Sequence, residues 1–277
     1  MTACLTSHVL DTARGGPAVG MRLELFSLEN QTKSLLKSTS TNNDGRTDKP
    51  LLDAGNIEAG NYQIDFYVGE FFENCGISIS QPKFLDIIPV EFGIADEKGH
   101  YHVPLLASPW SYSNYRGSSP ANMPADNLLD KRPSDQRVAL RRKDYQCVSP
   151  QLPAALPGTG APGLTTHVLD MTRGCGAAGV QIDVFQIDGS QRTYLKSVKT
   201  DNEGRSEEWL IQSGEIQSGQ YEFAFHIGDY FVARGAELPG IRYLDVVPVL
   251  LGLSPEEGHY HIPLLIAPWG YSTYRGS

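Results

Sequence analysis

The sequence contains no run of eighteen consecutive apolar residues, and its first residues lack a basic segment followed by an apolar one. We therefore expect neither a transmembrane helix nor a secretory signal peptide. The four cysteines (Cys4, Cys75, Cys147 and Cys175) form no C-x-x-C pair, which argues against a disulfide framework and against a thiolate metal site. This cysteine usage is typical of a soluble protein in a reducing, intracellular compartment.

Positive charge is also scarce, because 23 lysines and arginines stand against 32 aspartates and glutamates, a formal net charge of −9. An acidic protein is not expected to have a nucleic acid or an anionic membrane as its main partner. Hydrophobic residues make up 40% and charged residues 20% of the 277 residues. This balance is typical of a folded globular protein.

The chain carries one sequence twice, at a constant offset of 159 residues. The stretch GHYHVPLLASPWSYSNYRGS at 99–118 returns as GHYHIPLLIAPWGYSTYRGS at 258–277. Aligned over 5–118 and 164–277, the copies share 48 of 114 positions, so polar residues that persist in both are candidates for function.

The repeat predicts two domains, 1–118 and 164–277, joined by a linker at 119–163. The linker contains seven prolines, and its segment 134–145 has the pattern of a short helix. Its basic cluster consists of Arg137, Arg141, Arg142 and Lys143. We interpret the linker as a solvated spacer, and the alternative is a docking or regulatory role for the basic cluster.

Each copy has the pattern of a β-sandwich. Apolar and polar residues alternate over 19–26, which places Val19, Met21, Leu23 and Leu25 on one face of a strand. Turns such as NDGR at 43–46 separate further strands, and one helical turn is predicted near 69–74 and 228–233. Strands do not alternate with helices, so a parallel α/β fold is not expected.

Three histidines recur in each copy, and they are His8, His100 and His102 with His167, His259 and His261. His100 and His102 share one face of a strand, because residues two apart point the same way. With Arg46 and Arg205, they suit either hydrolysis, in which histidine accepts a proton from water, or the binding of an anion. A zinc site would rest on the histidine count alone, and isolated histidines at a sheet edge are the structural alternative.

Four ordered motifs in the first copy resemble those of the 5-hydroxyisourate hydrolases, the transthyretin-related enzymes of urate breakdown. They are LTSHVLD (5–11), NDGR (43–46), HYHVPLL (100–106) and YRGS (115–118). The second copy matches them again with LTTHVLD (164–170), EGR (203–205), HYHIPLL (259–265) and YRGS (274–277).

The resemblance implies an all-β chain of two transthyretin-like β-sandwich domains, each with two four-stranded sheets and one short helix. It implies hydrolysis of 5-hydroxyisourate at the N1–C6 amide bond, to 2-oxo-4-hydroxy-4-carboxy-5-ureidoimidazoline, without a cofactor or a metal. Members of the family assemble as homotetramers, so we expect two of these chains to form a homodimer of four domains. The expected partner besides the second chain is the small-molecule substrate. The family works in the cytoplasm, which we expect here, or in peroxisomes.

The resemblance also implies which residues carry the reaction. The catalytic positions are His8, Arg46, His102 and Ser118 in the first copy, and His167, Arg205, His261 and Ser277 in the second. The positions expected to line or bind the substrate are Tyr115, Tyr274, His100 and His259. Because Ser118 continues into the linker and has no free carboxylate, we expect the first copy to be the weaker one if that carboxylate takes part.

Besides a zinc-dependent hydrolase on the same scaffold, two alternatives remain at this point. A transthyretin-like carrier would bind a small ligand without catalysis, although the carrier lacks the His, Arg, His set and the YRGS ending. A second copy retained only for assembly is the milder alternative, but neither half has lost a matched polar position.

Overall fold

The computed structural model describes residues 3–29, 32–117, 163–212 and 214–276. The predicted linker, with its helix and its basic cluster, lies outside the described residues apart from Gly163, and so do Ser118 and Ser277. Within these ranges, no helix is long and apolar enough to cross a membrane.

The same order of strands and one helix is found in each half of the chain. The first domain contains β1 (Cys4–Asp11), β2 (Gly16–Pro17), β3 (Arg22–Glu29), β4 (Thr32–Ser40), β5 (Gly60–Tyr67), α1 (Val68–Asn74), β6 (Ile87–Ile94), β7 (His100–Ser108) and β8 (Ser111–Tyr115). The second contains β9 (Leu164–Asp170), β10 (Cys175–Gly176), β11 (Gln181–Asp188), β12 (Gln191–Lys199), β13 (Gly219–His226), α2 (Ile227–Ala233), β14 (Val246–Leu253), a 3₁₀ turn (Pro255–Glu257), β15 (Tyr260–Ala267) and β16 (Gly270–Tyr274).

Alternation of side chains along the strands builds the core. Met21, Leu23 and Leu25 are fully buried, as the period-two pattern predicts. Val19 is 47% exposed, because the strand begins at Arg22 and the prediction extended it too far toward the N-terminus. Both predicted helical turns are confirmed, and α1 buries Phe72 against the sheets.

Each domain is a sandwich of two four-stranded sheets, which confirms the predicted fold. In the first domain the sheet orders are β2-β1-β7-β8 and β4-β3-β5-β6, and the second domain repeats both. All strand pairs in these sheets are antiparallel except β1 with β7 and β9 with β15. This parallel pairing brings the first histidine strand beside the His-x-His strand.

The two domains lie side by side and share one continuous sheet. β8 pairs with β16 in antiparallel register, from Ser111 opposite Tyr274 to Tyr115 opposite Gly270. The two four-stranded sheets thus join into one of eight strands, which we call the central sheet. A second contact lies on the other side of the sandwiches, where the Gly93 amide donates to the Tyr243 carbonyl at 3.0 Å.

Candidate active site

The first histidine and the arginine lie next to each other on the outward face of the central sheet. In β1 the residues Thr6, His8 and Leu10 are half-buried on that face, while the residues between them enter the core. A β-bridge pairs His8 with Arg46. The sequence motifs are 38 residues apart in the chain, and the fold places them side by side.

A tight turn presents Arg46 to His8. The Asn42 side-chain oxygen accepts hydrogen bonds from the backbone amides of Asp44, at 3.0 Å, and Arg46, at 3.1 Å. Gly45 has φ of 72°, and a Cβ there would collide with the carbonyl oxygen of Val9. Only glycine suits this position, since L side chains disfavour both the conformation and the contact.

The second histidine reaches the same place through the parallel pairing of β1 with β7. Thr6 lies opposite His102, and Cys4 lies opposite His100. The Thr6 hydroxyl oxygen is 2.9 Å from Nδ1 of His102, and the Cys4 sulfur is 2.9 Å from Nδ1 of His100. His100 and His102 are both half-buried on one face of the strand, as predicted.

The surroundings of His8 and His102 favour their neutral forms. Burial lowers the pKa of His102 to about 4, and the positive charge of Arg46 adds to that effect. Burial also lowers the pKa of His8, followed by the charge of Arg46, although the backbone and side chain of Asp44 oppose the change. Both imidazoles are therefore unprotonated at neutral pH and can accept a proton.

The second domain repeats this geometry with different neighbours. A β-bridge pairs His167 with Arg205, and Thr165 lies 3.0 Å from Nδ1 of His261. Burial lowers the pKa of His261 to about 4, with the charge of Arg205 as the next cause. The pKa of His167 is lowered by the same two causes. Nε2 of His167 is 2.9 Å from the Glu203 carbonyl oxygen.

The YRGS tails fold back onto the second histidines. The Gly117 amide donates to the His102 carbonyl at 2.9 Å, and the Gly276 amide donates to the His261 carbonyl at 2.8 Å. The predicted catalytic residues Ser118 and Ser277 directly follow these glycines, outside the described residues. Their contribution to the site stays a prediction.

The predicted substrate-binding residues fall into two groups. Tyr115 and Tyr274 are 46% and 45% exposed, at the junction of the two domains on the central sheet, and a role in substrate binding stays a prediction. His259 lies against Trp209, with ring centroids 5.5 Å apart, and its Nε2 is 3.2 Å from the Thr165 hydroxyl. Its counterpart His100 contacts Cys4 instead, so the two sites differ beside His102 and His261.

Thr6 and Thr165 were not predicted from the sequence as part of the site. Both threonines stand two residues before the first histidine of their copy, and threonine is identical in both copies. Two residues along a strand is one step on the same face, so this spacing was the available signal. Cys4 has no such signal, because the second copy has Gly163 there.

In the part of the chain that the structure describes, no three His, Cys, Asp or Glu side chains form a group that could hold a metal ion. The zinc interpretation therefore still rests on the histidine count alone. Two neutral imidazoles beside a guanidinium can remove a proton from water and stabilise a developing oxyanion without a metal.

Several known proteins are similar to part of this chain. The 5-hydroxyisourate hydrolase 2 of Rhizobium meliloti is 47% identical over 114 residues, which cover 41% of this chain and 95% of that protein. The 5-hydroxyisourate hydrolase of Ralstonia nicotianae is 49% identical over 114 residues, 41% of this chain and 97% of that protein. The solved structure of Klebsiella pneumoniae 5-hydroxyisourate hydrolase is 30% identical, covers 42% of this chain and 99% of its own, and has a TM-score of 0.35.

The model of the HIUase/Transthyretin family matches the chain twice, over 5–117 and over 164–276. The two matches coincide with the two repeated sandwiches, each with its own pair of histidines and its arginine. The chain therefore belongs to the HIUase/Transthyretin family, as a tandem pair of family domains.

Proposed function

We propose that this protein hydrolyses 5-hydroxyisourate and that both domains are active. The observation that carries the proposal is the pairing, in each domain, of an arginine with two histidines whose pKa values are lowered. Hydrolysis of a cyclic amide needs a base for water and a cation for the carbonyl oxygen, and each site supplies both. A carrier would need neither.

In the first domain, His8 and His102 orient a water molecule, and one of them removes its proton as the oxygen attacks the C6 carbonyl carbon. The Arg46 guanidinium donates hydrogen bonds to the carbonyl oxygen as it gains negative charge. The C6–N1 bond then breaks, and the protonated histidine returns the proton to N1. One water is consumed, the ring opens to a carboxylic acid that releases its proton to solvent, and no electrons are transferred.

The second domain performs the same steps with His167, His261 and Arg205. We keep Ser118 and Ser277 in the proposal as hydrogen-bonding residues, because the chain passes directly over His102 and His261 at the preceding glycines. An alternative in which the second domain serves assembly alone finds no support in its site, which retains the bridge, the threonine and the lowered pKa values of the first.

We further propose that two chains form a homodimer of four domains. The outward face of the central sheet carries both sites together with half-buried or exposed apolar side chains, which are Leu10, Leu106, Tyr115, Leu169, Leu265 and Tyr274. A second central sheet packed on this face would cover these side chains and enclose the sites between two sheets. Light scattering coupled to gel filtration would give twice the mass of the 30.4 kDa chain, and a monomer would contradict the proposal.

The activity is tested with 5-hydroxyisourate made in situ by urate oxidase and followed by its ultraviolet absorbance. The account expects faster decay with the protein, in proportion to its concentration, and the same rate after treatment with a chelator. Decay at the spontaneous rate would contradict the proposed function. Loss of the acceleration with chelator, restored by zinc, would instead establish a metal-dependent hydrolase.

A further inference from the structure

We propose that Thr6 and Thr165 are positioning residues, which hold His102 and His261 in the tautomer whose Nε2 is unprotonated. The inference rests on the proposed function and deepens it, since it assigns the nitrogen that accepts the proton of water. The tautomer follows from the hydrogen-bond partners of each threonine, which differ between the two domains.

In the first domain the Thr6 hydroxyl has two partners. It lies 3.3 Å from the carbonyl oxygen of Tyr101, to which it donates, and 2.9 Å from Nδ1 of His102. A carbonyl oxygen only accepts, and a hydroxyl has one hydrogen, so a single arrangement satisfies both contacts. The hydroxyl donates to the carbonyl and accepts from Nδ1–H of His102. Neutral His102 then has its lone pair on Nε2.

In the second domain the Thr165 hydroxyl lies between two imidazoles, 3.0 Å from Nδ1 of His261 and 3.2 Å from Nε2 of His259. Burial lowers the pKa of His259, and a hydrogen bond of its ring with the backbone carbonyl of Gly163 opposes that change. Because Nε2 of His259 faces Thr165, the donor to that carbonyl is Nδ1–H. Nε2 of His259 is then an acceptor, Thr165 donates to it, and Thr165 accepts from Nδ1–H of His261.

Two different hydrogen-bond chains thus lead to one tautomer. In the first domain the hydrogen-bond chain ends at the backbone carbonyl of Tyr101 in β7. In the second domain it continues from Thr165 through His259 to Gly163. His259 is a member of this chain, whereas His100 is not, because its Nδ1 contacts Cys4. The common element is the threonine, and the common result is a histidine with Nε2 free for water.

The neighbouring residues provide a matched control. Ser7 and Thr166 follow the two threonines directly, but their hydroxyls point into the core and donate to the carbonyls of Val103 and Ile262. Replacing them removes a buried hydroxyl from the same strands without touching a histidine. Any loss that comes from strand destabilisation alone would therefore occur in these variants too.

The experiment uses the full chain and three double variants: Thr6→Val with Thr165→Val, Thr6→Ser with Thr165→Ser, and the control Ser7→Ala with Thr166→Val. We expect the valine variant to lose about 10- to 100-fold in kcat, because a histidine in the wrong tautomer cannot accept the proton. We expect KM to change by less than about threefold, because neither threonine is placed against the substrate. Serine restores the hydroxyl, so that variant should keep kcat within about threefold, as should the control.

Nitrogen-15 NMR of the histidine rings provides a readout that is independent of turnover. It should show His102 and His261 with the proton on Nδ1 in the wild type and a mixture of tautomers in the valine variant. A proton on Nε2 in the wild type, an unchanged kcat in the valine variant, or an equal loss in the serine variant would overturn the proposal. A wild type without hydrolytic activity would contradict the proposed function, while the NMR spectrum would still decide the tautomer.

Discussion

The backbone amide of Arg116 donates a hydrogen bond to the carbonyl of Trp269 in the other domain, at 2.7 Å. The reverse pair is formed as well, since the amide of Arg275 donates to the carbonyl of Trp110 at 2.9 Å. Each YRGS tail is therefore anchored by its neighbour domain before it reaches its own histidine. The position of each tail therefore depends on both domains.

The two arginine side chains are held differently. Arg275 packs over Tyr260 and forms an ion pair with Glu257 at 2.6 Å. Arg116 packs over aromatic rings of both domains, but among the described residues no carboxylate pairs with it, and Lys98 occupies the position that corresponds to Glu257. We expect Lys98→Glu to stabilise the chain by about 0.5 to 1 kcal/mol, as a well-formed ion pair at the surface would, because Lys98 is exposed. Urea unfolding measures this change.

The reciprocal variant is Glu257→Lys, which removes the existing ion pair and places two cations together. It should destabilise the chain by a similar or larger amount. If Lys98→Glu and Glu257→Lys changed the free energy of unfolding in the same direction, the expected ion pair between Arg116 and a glutamate at position 98 would be wrong.

Close contact between Gly117 and the His102 ring makes the tail sensitive to a single methyl group. A Cβ on Gly117 would collide with Cδ2 of His102, and one on Gly276 would lie 2.8 Å from Cδ2 of His261. We expect Gly117→Ala with Gly276→Ala to lower kcat at least about tenfold, because the rings or the tails must move. Gly60→Ala is the control, since its nearest neighbour would be 3.9 Å away. Equal kcat values for the two variants would refute this contact.

The pH dependence of the reaction follows from the histidine pKa values. In the proposed mechanism the histidine that accepts the proton must be unprotonated, and each of these histidines has a pKa below the ordinary 6.5, to about 4 for His102 and His261. We expect kcat/KM to be flat from about pH 8 down to 6.5 and to fall only in more acidic solution. Arg46→Ala with Arg205→Ala should move this acidic limb to higher pH, because the cation is the second cause of the lowering. A limb centred at or above pH 6.5 in the wild type would contradict the electrostatics.

Glu91 makes the stability of the chain depend on pH. Burial raises its pKa from 4.5 to about 7, the carboxylates of Glu222 and Asp65 contribute, and the cations Arg192 and Lys33 oppose the change. Between pH 4.5 and 7 the folded state binds the proton and the unfolded state does not, so stability falls as the pH rises. That interval corresponds to about 3 kcal/mol, at about 1.4 kcal/mol per pH unit.

Glu91→Gln removes this titration and should gain stability relative to the wild type between pH 5 and 8. Urea unfolding at both values measures the difference, with the exposed Glu58→Gln as control. A difference between wild type and Glu91→Gln that stays constant with pH would show that Glu91 titrates normally.

Local features of the fold could be predicted from the sequence. Alternation placed Leu23 and Leu25 in the core and put His100 and His102 on one face, because the period of a strand is independent of its partners. The turn before Arg46 was recognised from Gly45, whose conformation few other residues adopt. Val19 was misplaced, because alternation does not mark where a strand begins.

Features that depend on the register between distant strands could not be predicted. The contact of Thr6 with His102 joins residues 96 positions apart and follows from the parallel pairing of β1 with β7. The hydrogen bond from the Arg116 amide to the Trp269 carbonyl joins the two domains and requires the pairing of β8 with β16. No local pattern in the sequence indicates that pairing. The motifs around His100 and His259 are nearly identical, so the sequence did not indicate that His100 contacts Cys4 whereas His259 contacts Thr165.

The central claim is that one chain contains two separate hydrolytic sites of the same design. The most direct measurement is the rate of 5-hydroxyisourate decay with His8→Ala, with His167→Ala and with the double variant. We expect each single variant to keep part of the wild-type kcat and the double variant to lose about 10²-fold or more, because only then is no site complete. A double variant with the wild-type rate, or a single variant as inactive as the double one, would contradict it.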